Sequence, residues 1–280
     1  MTADFSYDPV TAIDEASATG ETAAIFADVR ATMGIPLLTS IWRGLAGMGD
    51  SLAQVWALTK PIYASGLPEQ ALGRVLTRAG LPRPEPLAPT QLACVGVGER
   101  DLHNIRAIVA AYNRSNGMNL VALAALVTPP AAEAAAPVSA TPAPDWPPLR
   151  PLHAREAIDD NTWTMIRHVN AFGAPGPDAH VATLWRHLAH WPGLLALVHC
   201  AFAPLQTRGA IAAASAKVAA LAREEGARMA HLRPARFDIS SEAMDTIVDY
   251  VNNPALVARM VTLGHMLADW LASHGAAPRS

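Results

Sequence analysis

The stretch Pro36-Leu37-Leu38-Thr39-Ser40-Ile41-Trp42-Arg43-Gly44-Leu45-Ala46 has a counterpart in Ala182-Thr183-Leu184-Trp185-Arg186-His187-Leu188-Ala189. Trp42 and Trp185, Arg43 and Arg186, Leu45 and Leu188, and Ala46 and Ala189 all pair at an offset of 143. The same offset pairs Leu52 with Leu195, Pro61 with Pro204 and Gly66 with Gly209. Coincidences of alanine and leucine are common, but Trp, Arg, Pro and Gly in order at one offset are not. The pattern predicts an internal duplication. A second echo, Tyr112-Asn113-Arg114-Ser115-Asn116-Gly117 with Tyr250-Val251-Asn252-Asn253-Pro254, carries one gapped residue.

Around these stretches, apolar residues recur at helical spacing, and alternating Val, Ile and Tyr runs are nearly absent. Ala23 to Arg30 forms one broad apolar face behind Thr19 or Glu21 as start signals, and Gly34 stops it. Pro36 opens a helix expected over Leu37–Gly47. Further helices are expected over Ser51–Ala64, Pro68–Arg78, Arg100–Asn113 and Pro254–Ala272. Between Pro129 and Pro151 the chain holds eight Pro and seven Ala in 23 residues. Proline donates no backbone hydrogen bond and disfavours helix before it, so this stretch reads as an extended linker pinned by Trp146. The expectation is an all-α chain: helical repeat 1 over residues 1–128, a Pro/Ala-rich linker over 129–157 and helical repeat 2 over 158–280. The repeats are expected to pack as a pseudo-dimer with a small-molecule pocket between them.

The chain has 280 residues, 51% of them hydrophobic and 16% charged, enough to bury a large core. A net charge of −3 gives no basic footprint for nucleic acid. The opening Met1-Thr2-Ala3-Asp4-Phe5 lacks the features of a signal peptide, and no long apolar run suits a membrane span. Cys94 and Cys200 lie too far apart for a CxxC pair. A cytoplasmic location without nucleic-acid or membrane partners is expected.

In its Pro36–Ala46 and Ala182–Pro192 segments, its Tyr112–Asn119 segment and its duplicated layout, the chain resembles the group I DL-2-haloacid dehalogenases. That resemblance implies an all-α pseudo-dimer, often a homodimer, with no metal or organic cofactor. It implies hydrolytic removal of halide from a short 2-halocarboxylic acid, on both enantiomers, by an activated water and without a covalent intermediate. An asparagine from the first half holds that water, and an aspartate from the second half takes its proton. Carried onto this sequence, the asparagine falls on Asn116, with Asn119 one turn on. Pocket residues fall on Leu38, Ser40 and Ile41, on Ala182, Thr183 and Leu184, and on Met260, Leu263, Gly264 and Leu267. The aspartate position is Leu184. Leucine cannot accept a proton, so the resemblance keeps the scaffold and withdraws the usual base. The nearest carboxylate upstream is Asp178.

Other residues allow other chemistry. His180, His187, His190 and His199 gather in the second half, and His187 and His190 share a helix face. They offer a replacement base or a metal site, or simply helix-surface histidines; no metal is expected. Asn116-Gly117-Met118-Asn119 also reads as a helix-entry turn. Thr183 and Ser40 offer hydroxyls, although mid-helix hydroxyls usually bond back to the preceding turn. Trp42 and Trp185 read as core wedges, and Arg43 and Arg186 as braces. Three functions compete: a dehalogenase-like enzyme, an organic-acid binding protein on the same scaffold, and a helical peroxidase of the carboxymuconolactone type, which the missing CxxC disfavours.

Overall fold

A computed structural model describes residues 13–136, 138, 141–176 and 180–274. Twelve α-helices and no strand occur among the described residues. In order they are α1 (Gly20–Met33), α2 (Ser40–Ala46), α3 (Ser51–Ala64), α4 (Leu67–Ala79), α5 (Pro89–Cys94), α6 (Glu99–Val127), α7 (Asp160–Asn170), α8 (Thr183–His187), α9 (Pro192–Thr207), α10 (Ala210–Met229), α11 (Ser241–Asn252) and α12 (Val257–Ala272). No single described helix is long and apolar enough to cross a membrane.

Local chemistry sets most boundaries. α1 ends where Gly34 adopts φ 61° and its N–H closes on Arg30 O, a conformation costly for residues with a Cβ. α2 starts three residues later than its proline suggests, because the Leu38 N–H is drawn to Glu15 Oε2 at 3.3 Å. α12 starts at Val257 rather than Pro254, since Asn253 holds a turn there with its Oδ1 on the Ala255 N–H at 3.1 Å. The largest difference is α6. The sequence suggests a stop at Asn113 and a turn at Asn116-Gly117, yet the helix continues to Val127, 29 residues in all. Gly117 is there for packing: a Cβ would stand 2.3 Å from Leu72 Cδ2 on α4. Tertiary contact overrides the local turn preference. The echo between Tyr112–Gly117 and Tyr250–Pro254 therefore joins unlike places, mid-helix in α6 and the end of α11.

Two hydrophobic clusters form, and neither belongs to one half of the sequence. The first joins α1 to α4 and the C-terminal part of α6 to α10, α11 and the start of α12, through Trp42, Tyr63, Leu123, Val218 and Val261. The second joins α7 to α9 and most of α12 to the N-terminal part of α6, through Ile105, Ile108, Trp185, Phe202 and Leu267. α6 thus runs through both, and it packs on α4, α10 and α12. Trp42 and Trp185 are fully buried, one in each cluster, as core wedges. On α10, the nearly buried Glu225 receives Arg74 of α4 at 2.7 Å. The linker crosses the surface, with Trp146 Nε1 donating to Gly34 O at 3.0 Å.

Candidate functional site

α2 and α8 are short, and both point their first residues into one cavity of about 500 Å³. Thr39, Ser40 and Ile41 enter from the first half, and Ala182, Thr183 and Leu184 from the second. Tyr112 and Asn116 come from α6, Asp249 and Tyr250 from α11, and Leu256, Arg259 and Met260 from the entry to α12. His180 stands exposed on the loop before α8.

Most of the residues singled out in the sequence meet here: Ser40, Ile41, Asn116, Ala182, Thr183, Leu184 and Met260. Ser40 and Thr183 are each the first residue of their helix, so neither has a preceding turn to bond back to. Asn116, on a half-buried face of α6, lines this space, and its carboxamide makes no hydrogen bond among the described residues. Leu184 is 1% exposed and forms part of the wall. Asp178 lies outside the described residues.

Five of the expected residues lie elsewhere. Asn119 is fully buried beneath the cavity, at the centre of a polar network. Its Oδ1 accepts from Trp42 Nε1 at 3.2 Å and from Tyr63 Oη at 2.9 Å, and its Nδ2 donates to Thr39 Oγ1 at 2.9 Å. It holds the site's floor instead of touching its contents. Leu263 and Leu267 are fully buried in the second core cluster, on α12, which packs on α6 and α10. Gly264 is pressed against α6, where its carbonyl accepts from Asn113 Nδ2 at 2.9 Å. Leu38 lines a second, more open concavity of about 510 Å³ with Arg30, Arg43 and Arg150. Tyr112 and Thr183 line both spaces and form the wall between them.

The histidines disperse. His187 is buried and reaches the linker, not the cavity. A carbonyl only accepts, so Nε2 of His187 donates to Arg150 O and Nδ1 accepts from Tyr112 Oη at 3.3 Å. Burial holds its pKa down, to about 4, which makes it a weak base. His190 donates through Nε2 to Pro151 O at 2.9 Å and meets His153 at 2.9 Å. His199 stacks on Phe172. Among the described residues no group of three or more His, Cys, Asp or Glu could hold a metal ion.

Sequence reasoning missed Arg259 and Tyr250. Arg259 is 3% exposed, and its donors go to backbone carbonyls: Nε to Ala255 O at 2.7 Å, Nη1 to Asn170 O and to Phe172 O at 3.3 Å. Burial lowers its pKa to about 10, still protonated at neutral pH. The sequence does carry a signal for it: one arginine inside the apolar run Val257–Leu263. Among the described residues the buried Tyr250 hydroxyl makes no well-formed hydrogen bond; burial raises its pKa, and Asn119 beside it opposes the rise. The sequence marks Tyr250 only through its echo of Tyr112.

No protein-family model matches the sequence, and no curated protein matches it. Solved structures do. The chain is similar to a D-2-haloacid dehalogenase mutant in complex with D-2-CPA, with a TM-score of 0.75 and 16% identity over 93% of this chain and 95% of that one. It is also similar to a D-2-haloacid dehalogenase in complex with L-LA, with a TM-score of 0.66 and 18% identity over 94% and 92% of the two chains. At such identities the likeness establishes the fold: the chain has the scaffold of the D-2-haloacid dehalogenases. It does not single out the group acting on both enantiomers.

Proposed function

We propose that the chain is a dehalogenase-like protein that takes a small organic acid into the cavity between α2 and α8. In this reading, hydrolytic dehalogenation by a carboxylate-activated water is not available at α8. One observation carries the reading: Asn116, Thr183 and Leu184 line one cavity, and the α8 position carried over as the base is an aliphatic wall. Displacement at an sp³ carbon needs a water aligned behind the leaving group and a base in reach of it. Asn116 supplies a holder for such a water, and Leu184 supplies no base.

The same reading treats the chain as two tandem repeats packed as a pseudo-dimer. In support, Gly66 and Gly209 both take positive φ before α4 and α10, and Pro61 and Pro204 both lie inside the preceding helix. α1 packs on α3 as α7 packs on α9, and α4 on α6 as α10 on α12.

A second reading keeps dehalogenation with another base, because Asp249 and His180 line the same cavity. The test is halide and 2-hydroxy acid formation from racemic 2-chloropropionate. The unmodified protein is compared with Leu184→Asp, and with Asn116→Ala in each background. Silence from the unmodified protein with turnover by Leu184→Asp supports the first reading. Turnover by the unmodified protein that Asp249→Asn or His180→Gln abolishes supports the second. If neither protein turns over and no small acid raises the melting temperature, both readings fall.

A further inference from the structure

Arg259, on the lining of the cavity, has no ion-pair partner among the described residues. Arg259 is buried, and its hydrogen bonds go to the uncharged carbonyls of Ala255, Asn170 and Phe172. Among the described residues no carboxylate lies within ion-pair distance of it, and Nη2 makes no hydrogen bond. A cation withdrawn from water is stable only when paired and hydrogen-bonded, and carbonyl dipoles do half of that work. The planar guanidinium fork is suited to a carboxylate.

The surroundings narrow the partner. Ile41, Leu184, Leu256 and Met260 give the cavity an apolar wall. Its volume of about 500 Å³ falls within the range of sites for drug-sized ligands, beyond what a three-carbon acid fills. Asp249, on the same lining, disfavours a second carboxylate. Tyr250, with Asn119 beside it, offers a buried hydroxyl that makes no well-formed hydrogen bond among the described residues.

Resting on the reading that this cavity takes an organic acid, we propose that its ligand is a medium-sized monocarboxylate with an apolar body. Its carboxylate pairs with Arg259, and a hydroxyl or oxo substituent meets Tyr250. Arg259 is then the residue that selects for acids, and the apolar wall selects for length.

The experiment is calorimetric titration of the full-length protein with octanoate, 1-octanol, propionate and 2-hydroxyoctanoate. The expected result is that octanoate binds about tenfold or more tightly than 1-octanol, the ratio a single charge-assisted hydrogen bond supplies. Propionate binds more weakly than octanoate, and 2-hydroxyoctanoate more tightly, with that last gain lost in Tyr250→Phe. Arg259→Met erases the preference for octanoate over 1-octanol. Because Arg259 also ties three carbonyls, Leu256→Glu provides a second test without touching them. A carboxylate one turn from Arg259 satisfies its charge and turns the preference toward the alcohol. Equal binding of octanoate and 1-octanol by the unmodified protein overturns the proposal. So does an unchanged preference in a folded Arg259→Met together with an unchanged preference in Leu256→Glu. Binding of propionate or 2-chloropropionate with no preference for octanoate leaves the organic-acid reading standing and removes this one. Absence of binding by every acid removes both.

Discussion

Ile41 and Leu184 hold the second positions of α2 and α8, 143 residues apart in sequence, and line the same cavity from opposite halves of the chain. Each is nearly buried, and each follows a hydroxyl residue, Ser40 or Thr183. Both halves thus present an aliphatic group at the same helical position.

Placing a carboxyl at Leu184 has a cost in stability. We expect Leu184→Asp to lose roughly 3–5 kcal/mol at neutral pH, from the lost packing and from a carboxylate forced into an apolar wall. Desolvation raises the folded-state pKa of the new carboxyl, so the loss is smaller near pH 4 than near pH 8. Urea unfolding at the two pH values measures it, and equal losses would contradict a dry wall at this position.

Asn116 and Asn119 lie one turn apart on α6 and are expected to behave oppositely. Asn119→Ala strands Trp42 Nε1, Tyr63 Oη and the Asn119-bonded side of Thr39 in a buried network, at about 2–4 kcal/mol. Asn116→Ala removes a carboxamide that bonds nothing among the described residues and stays within about 0.5 kcal/mol. Chemical denaturation of the pair decides whether the network or the cavity owns each residue.

Two helical glycines separate packing from propensity. On α10, a Cβ at Gly226 would stand 2.8 Å from the Ala124 backbone of α6, which cannot move aside. Gly226→Ala is therefore expected to cost several kcal/mol, about 2–4 by the scale of overpacked cores. A Cβ added at Gly73 on α4 would meet nothing within 4 Å among the described residues. Gly73→Ala is expected to stabilise by about 0.5–1 kcal/mol through helix propensity. Melting temperatures that move in the same direction would refute the contrast.

Acid should loosen the protein through two buried histidines. Burial lowers the pKa of both His187 and His265 from 6.5 to about 4, and among the described residues the His265 Nε2 has no hydrogen-bond partner. The unfolded chain takes up these protons below pH 6.5, and the folded chain resists until about 4. The stability they confer is complete above pH 6.5 and is lost as pH falls toward 4. Each steepens the fall by up to about 1.4 kcal/mol per pH unit. His265→Leu, which removes a proton-binding site and an unpaired nitrogen together, should flatten the profile between those limits. A profile unchanged in slope would show that His265 does not titrate as a buried group.

The fold is legible in the sequence because burial and chain reversal leave strong marks. Apolar spacing marks the helical class, Gly34 the end of α1, and the proline-rich segment the crossing between halves. The part that escapes is tertiary in origin. Asn116-Gly117 looks like a turn until Leu72 is seen packed against Gly117. Asn119 looks like a pocket residue until Trp42 and Tyr63 are seen closing on it from other helices. At the site, the α2 and α8 residues are readable because they recur at one offset. Tyr250, which echoes Tyr112 only at a different offset, and Arg259 reach the cavity outside that pattern. Arg259 is a lone cation in an apolar run, but only its carbonyl partners reveal that its charge lacks a counter-charge among the described residues.

The crossing segment is fastened between Trp146 and His153. Trp146 bonds Gly34 O, Arg150 pairs with Asp101 and lies over Trp191, and His187, His190 and Arg186 grip the carbonyls of Arg150, Pro151 and His153. Beneath it, α6 is already clasped by α10 and α12 from the other half. Peptide continuity across the join is thus redundant with the contacts around it. Two fragments synthesised separately, one ending in the crossing and one beginning there, carry complementary surfaces and should reassemble into the same cavity.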